Sequence, residues 1–208
     1  MKVAPKLGDG QNTETNLYWG AAYGVRTYLA HAGWTVRTRE KAPAPGVLER
    51  VTFTRTIARR GRQVPIVLVA EAWDGKEIRP AIERFLAMAA GAGDDVPHAV
   101  AFVGHDGLMD FALTSAPAAS RGAPARASIV LACASKPYFE GHLTKGGSHP
   151  LLLTTGLMAP EAYVLDAALR AWASGEAAER VRESAAQAYD HFQKCGIKAA
   201  RRLFSGSP

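Results

Sequence analysis

The sequence predicts an α/β domain with a mainly parallel central sheet. Short apolar runs of strand length alternate with amphipathic segments of helical spacing along much of the chain. A strand, a helix and a further strand typically form a parallel βαβ unit with a right-handed crossover. At 208 residues, 48% of them hydrophobic, the chain can bury one sizeable core. We therefore expect a single domain over residues 1–208.

The first part of the chain contains both helix and strand patterns. Asn16 is a candidate N-cap for a helix from Leu17 to about His31, which Gly33 ends. Trp34 to Thr38 alternates as a strand does. Val47 to Ala58 fits either type of element, because its β-branched residues favour a strand while other apolar residues fall at helical spacing.

The middle of the chain gives the clearest strand signals. Val64 to Ala70 is a continuous apolar run, which is typical of a strand buried on both faces. Ala99 to Val103 and Ser128 to Ala132 are two further runs, and Leu151 to Thr155 is another candidate. These runs supply the strands of the predicted parallel sheet.

Three further helices are predicted around these strands. Apolar residues at helical spacing indicate a helix from about Lys76 to Ala90, with Pro80 in its first turn. Two helices, about Ala159 to Ser174 and Glu176 to Leu203, close the chain. Cys195 falls on the apolar stripe of the last helix, where we expect it to pack as a small apolar residue.

Composition argues against several classes of function. The formal net charge is +6, but the basic residues are scattered and few aromatic residues lie among them, unlike a nucleic-acid surface. Two cysteines are too few for a secreted disulfide scaffold. The first residues lack the apolar stretch of a signal peptide, and no apolar run approaches the roughly 18 residues of a membrane span. We expect a cytoplasmic protein with no nucleic-acid or membrane partner.

His105 and Cys133 form the candidate chemical site. Both follow predicted buried strands, and in an open parallel sheet ligands bind beyond the carboxyl ends of the strands. Adjacent strands lie about 4.8 Å apart, so an imidazole and a thiol at their ends can come within hydrogen-bonding reach. A nearby imidazolium or helix amino terminus favours the nucleophilic thiolate. We expect a helix from Ser135 to aim N–H groups and Lys136 towards Cys133, with the Gly107 and Cys133 N–H groups as oxyanion donors.

The blocks AVAFVGHDG and SIVLACAS resemble the His-Gly and Ala-Cys blocks of caspase-like cysteine peptidases, in particular separase and CHAT-type members. The resemblance spans about half of the chain, from roughly Val64 to Trp172. It implies a three-layer α/β/α fold and a protein or peptide substrate. It also implies that Cys133 attacks a peptide carbonyl to form a thioester, while His105 protonates the leaving amine and later activates water. Such enzymes use no metal and no organic cofactor.

Two features depart from the family pattern. Asp106 stands where the family has the Gly that directly follows the His, so the Gly107 N–H serves an oxyanion only if the loop is shifted. The first strand usual in this fold is expected to be missing or very short, because few residues precede the first helix. For substrate contact, the acidic residues Glu71 and Asp74 near a strand end are candidates that would favour a basic side chain.

Three alternative interpretations remain. A non-catalytic binding or scaffold module would keep the fold without the chemistry, and a flavodoxin-like nucleotide or flavin binder would share the sheet. A metal site of His142, His149 and Cys133 is the third, but the spacing of these residues matches no tight zinc motif.

Overall fold

The structure is a computed structural model and describes residues 4–92, 97–114 and 124–206. These residues form a mixed α/β protein with two sheets, and they divide into two compact units. The first unit contains the chain up to Ile78 together with Glu161–Ala177. The second contains Arg79–Pro160 together with the chain from Ala178 onwards. The chain therefore passes from one unit to the other three times.

Seven helices and seven strands occur within the described residues. The helices are α1 (Pro5–Gly8), α2 (Val25–His31), α3 (Ile78–Ala89), α4 (Ser135–Lys145), α5 (Ala162–Ala173), α6 (Ala178–Gln193) and α7 (Ile197–Leu203). The strands are β1 (Thr35–Ala44), β2 (Val47–Arg59), β3 (Arg62–Trp73), β4 (Ala99–Val103), β5 (Ala127–Leu131), β6 (His149–Thr154) and β7 (Phe204–Ser205).

The first unit is built on a three-stranded antiparallel sheet in the order β1-β2-β3. The turn between β2 and β3 is Arg60-Gly61, and both residues have positive φ, as the tight hairpin turn that suits a twisted sheet requires. Alternate residues of β2 are buried, and α5 packs against this strand and against α2. The buried Trp34 indole donates to the Asp166 carboxylate of α5 at 2.8 Å.

Two predictions for the first unit are wrong. The Val64 to Ala70 run forms a strand, but this strand is an edge of an antiparallel sheet, and Val67 is 65% exposed. An apolar run does not distinguish a buried central strand from an exposed edge strand, because β-branched residues are also favoured on an open sheet face. The predicted helix from Leu17 begins only at Val25, because the chain folds back on itself at Gly24, where an added Cβ would lie 2.4 Å from backbone.

The second unit contains the mainly parallel sheet, in the order β4-β5-β6-β7. The strands β4, β5 and β6 are parallel, and the short β7 runs antiparallel to β6. The rings of Phe85 in α3, Phe102 in β4 and Phe139 in α4 contact one another in tilted and edge-on geometry, with centroids about 6 Å apart. These ring contacts hold two helices against the sheet and fix the strands that carry the candidate site.

The chain end corrects a third prediction. The expected helix from Glu176 to Leu203 is divided into α6 and α7, because Lys194 and Gly196 both have positive φ. Cys195 therefore lies in the break and is exposed, rather than on a buried helical stripe.

Within the described residues, none of the helices has the length and apolar character needed to cross a membrane.

Candidate functional site

The strands that precede His105 and Cys133 are neighbours in the parallel sheet. Val103 of β4 is in register with Leu131 of β5, and the Gly104 N–H donates to the Leu131 carbonyl at 3.1 Å. Because parallel strands end at the same edge of a sheet, both candidate residues follow the carboxyl ends of adjacent strands. The two residues therefore lie at one edge of the sheet, while their side chains contact different partners: His105 Nε2 lies against Asp110, and Cys133 Sγ lies against the Met158 carbonyl.

The loop that carries His105 is a tight turn. Asp106 has φ −78° and ψ 88°, and the Gly107 N–H donates to the His105 carbonyl at 3.1 Å, as in an inverse γ-turn. A 3-10 turn over Gly107–Met109 follows, and its first N–H groups are capped by Asp106, which accepts from Leu108 at 3.0 Å. The Gly107 N–H already has a partner, so it can serve an oxyanion only if this turn rearranges.

His105 has a carboxylate partner that the sequence analysis did not identify. Its Nε2 lies 2.6 Å from Asp110 Oδ2, and both side chains are exposed. An ionised carboxylate only accepts hydrogen bonds, so Nε2 carries the proton in this contact and Nδ1 is the acceptor of the neutral ring. The sequence signal is only the five-residue spacing, which brings Asp110 back to His105 when the residues between them form a tight turn.

Asp106 is fully buried beside this pair. One carboxylate oxygen accepts from the Leu108 N–H, while the other has no hydrogen-bond partner among the described residues. Burial raises the pKa of Asp106 to about 6, although the Leu108 N–H and His105 act in the opposite direction. The residue that directly follows His105 is therefore a carboxyl group that is partly neutral near pH 6.

Cys133 lies at the turn between β5 and α4 and is partly buried. Its Sγ contacts the Met158 carbonyl at 3.6 Å. The next residue, Ala134, has φ +48°, a left-handed conformation that is uncommon for a residue with a Cβ, and its N–H donates to the Gly156 carbonyl at 2.8 Å. The loop of residues 156–158 thus holds both Cys133 and the residue that follows it.

The buried hydroxyl groups of Ser135 and Thr154 hold the backbone of this turn in place. Ser135 Oγ donates to the Val130 carbonyl and accepts from the Thr154 N–H at 2.9 Å. Thr154 Oγ1 accepts from the Ser135 N–H at 3.0 Å and donates to the Ala132 carbonyl. The reciprocal pair joins the ends of β5 and β6 to the start of α4, so the backbone on either side of Cys133 is held by buried hydrogen bonds.

The helix predicted to begin at Ser135 is present as α4, but the Lys136 ammonium has other partners than Cys133. It donates to Ser205 Oγ at 3.0 Å and lies 4.0 Å from the Glu140 carboxylate. The contacts of Lys136 therefore do not include the thiol that it was expected to approach.

The two carboxylates predicted to contact substrate belong to the first unit, whereas the His/Cys pair belongs to the second. Glu71 forms an ion pair with Arg50 at 2.7 Å. Asp74 accepts from the Gln11 side-chain amide at 2.9 Å and caps a 3-10 turn. Both groups have partners within their own unit, and their contact with a substrate stays a prediction.

No metal-ligand cluster supports the third alternative interpretation. Among the described residues, no group of three or more His, Cys, Asp or Glu side chains is placed to hold a metal ion.

Comparison with protein-family models, curated proteins and solved structures found no match to this chain. The proposal below therefore depends on the geometry of the second unit and on the two sequence blocks.

Proposed function

We propose that the protein is a cysteine endopeptidase of the caspase-like type, with His105 and Cys133 as its catalytic dyad. The observation that carries this proposal is that the two residues follow adjacent parallel strands, linked by the hydrogen bond from Gly104 to Leu131. A thiol nucleophile and an imidazole base are the minimum needed for nucleophilic cysteine catalysis, and their position at one sheet edge favours their approach to a common substrate.

The proposed reaction has two halves. His105 accepts the thiol proton as the Cys133 sulfur attacks the peptide carbonyl carbon. The C–N bond then breaks, and His105 passes that proton to the departing amine, leaving a thioester. Water then attacks the thioester while His105 accepts its proton, and the C–S bond breaks to release the carboxylic acid and restore the thiol. The dyad ends each turnover in its starting state, so no redox partner is consumed.

Neighbouring residues support the dyad without touching the substrate. Asp110 holds the imidazole through Nε2, which leaves Nδ1 as the nitrogen to exchange a proton with the thiol or with water. The Ser135 and Thr154 hydroxyl groups hold the turn that presents Cys133. Asp110, Ser135 and Thr154 are positioning residues, because they act through His105 or through the backbone.

The proposal includes the finer fold that the sequence resemblance implies, a three-layer α/β/α arrangement around the parallel sheet. The Phe85, Phe102 and Phe139 contacts supply helices on the sheet of the second unit, and Tyr189 of α6 packs edge-on against Phe204 of β7. These contacts are compatible with helical layers around one sheet.

The rival proposal is a binding or scaffold module that has lost catalysis. Two observations favour it, the buried Asp106 in place of a glycine and the Gly107 N–H that already donates to the His105 carbonyl. An oxyanion hole that lacks a donor costs roughly 10²–10³ in kcat. The module would then bind a peptide at the same sheet edge without cleaving it.

The test is hydrolysis of a quenched-fluorescence peptide library by the parent protein and by Cys133→Ala, with Cys195→Ala as the matched control. The endopeptidase proposal expects cleavage that Cys133→Ala abolishes and Cys195→Ala retains. Cleavage that survives in purified Cys133→Ala would overturn it. Peptides that bind to the parent without being cleaved would favour the rival.

A further inference from the structure

We infer that the site accepts a peptide with an apolar side chain on the residue whose carbonyl Cys133 attacks. This inference rests on the proposed function and names its substrate class. The expectation of a basic side chain, which depends on Glu71 and Asp74 of the first unit, stays a separate prediction.

Three exposed apolar side chains lie on the turn after His105, on the helix after Cys133 and on the loop that contacts Cys133. Leu157 is 79% exposed, although the residues on either side of it are held by Ala134 and by Cys133. Met109, which is 45% exposed, ends the 3-10 turn that follows His105, and that turn lies against α4. Tyr138, in the first turn of α4, is 36% exposed.

The exposure of Leu157 is the observation that favours a ligand. A leucine on a loop fixed by hydrogen bonds on both sides has little freedom to withdraw from water. The contact between Cys133 Sγ and the Met158 carbonyl places this loop beside the sulfur that would carry the acyl group. An acyl side chain that covers Leu157 would remove apolar surface from water on both partners.

The charged groups of the same segments are already engaged. Within residues 104–114, 132–140 and 155–160, Asp110 pairs with His105, and Lys136 contacts Ser205 and Glu140. Asp106 is fully buried and accepts from Leu108. Selection of a charged side chain requires an accessible group of opposite charge, and each exposed charge of these segments is paired with a neighbour of opposite sign.

The test uses tripeptide chloromethyl ketones, N-acetyl-Ala-Ala-Xaa, in which Xaa is Leu, Asp or Lys. The thiolate displaces chloride, so an S–C bond forms as the C–Cl bond breaks, and the rate of Cys133 modification is measured by mass spectrometry. We expect the Leu reagent to react at least about tenfold faster than the Asp and Lys reagents, the usual scale of apolar discrimination. Leu157→Ser should remove most of this preference, and Val67→Ser, an exposed apolar residue of the first unit, should retain it.

Iodoacetamide separates this inference from the proposed function, because it carries no side chain to be selected. Each chloromethyl ketone rate is divided by the iodoacetamide rate at Cys133 in the same variant, so any change in thiol reactivity caused by Leu157→Ser cancels, and circular dichroism shows that the variant is folded. Faster reaction with the Asp or Lys reagent, dependent on His105, would overturn the apolar substrate while leaving the peptidase intact. Failure of all three reagents and of iodoacetamide to modify Cys133 in a His105-dependent manner would overturn both.

Discussion

At the scale of single residues, Asp106 makes the folded second unit sensitive to pH. Its pKa rises from 3.8 to about 6 on burial, so the folded protein holds the proton more tightly than the unfolded chain does. Below about pH 4 the carboxyl is neutral in both the folded and the unfolded protein, so its burial does not lower the free energy of unfolding. Between pH 4 and 6 the unfolded chain ionises first, so stability falls as pH rises, by about 3 kcal/mol in total.

Asp106→Asn tests this electrostatic effect. The amide oxygen can still accept from the Leu108 N–H, but no charge is buried, so the free energy of unfolding at pH 7.5 should rise by about 1–3 kcal/mol. Urea unfolding at pH 4, 5, 6 and 7.5 measures the change and should show a flatter pH profile for the variant. Asp110→Asn is the control, because Asp110 is exposed. An unchanged slope in Asp106→Asn would mean that the carboxyl is solvated.

At the scale of secondary-structure elements, the Ser135 and Thr154 pair joins two strands and a helix. Ser135→Ala removes the acceptor of the buried Thr154 N–H, and an unsatisfied buried donor costs about 1–3 kcal/mol. We expect that loss in urea unfolding, together with slower modification of Cys133. Ser184→Ala on α6 removes only an exposed hydroxyl bond to Arg180 and should change stability by less than about 0.5 kcal/mol. Equal losses in the two variants would show that the pair has no special role.

Substitution by alanine should have opposite effects on stability at two glycines of the second unit. Gly196, between α6 and α7, has φ +85°, so Gly196→Ala should destabilise by about 1–2 kcal/mol. Gly141 lies within α4 with open space at its Cβ position, so Gly141→Ala should stabilise by about 0.5–1 kcal/mol. Thermal unfolding of the two variants measures both signs. Stabilisation by Gly196→Ala would mean that α6 and α7 are one helix, as the sequence alone suggested.

The elements that sequence reasoning predicted best are those whose type depends on local pattern. β4, β5 and β6 are short apolar runs between turn residues, and their bounds agree with the prediction to within two residues. What local pattern does not encode is the partner of each strand. β3 has the same apolar character as β5. It pairs with β2, its partner in a hairpin, and therefore lies at the exposed edge of an antiparallel sheet.

The candidate site was predictable to a similar extent. His105 and Cys133 were identified because they follow apolar strands, which is a local feature. Asp110, Ser135 and Thr154 were missed because their roles depend on turn geometry and on contacts between distant segments. The partners of Lys136 depend in the same way on Ser205, which lies 69 residues further along the chain.

At the scale of the whole molecule, the prediction of a single domain can be tested against the two compact units. All four tryptophans, at positions 19, 34, 73 and 172, belong to the first unit, while most helical residues belong to the second. A single cooperative domain predicts coincident urea transitions by tryptophan fluorescence and by circular dichroism at 222 nm. Separate midpoints would mean that the units unfold independently and are two domains.

The central claim is that His105 activates Cys133, and the rate of alkylation by iodoacetamide tests it most directly. The exposed Cys195 is an internal reference in the same sample, so mass spectrometry gives the ratio of modification at Cys133 to that at Cys195. An ordinary thiol has a pKa near 8.5 and reacts slowly at pH 6. We predict a ratio at pH 6 well above one in the parent and a fall of at least about tenfold in His105→Ala. A ratio below one, or a ratio that His105→Ala leaves unchanged, would contradict the catalytic dyad.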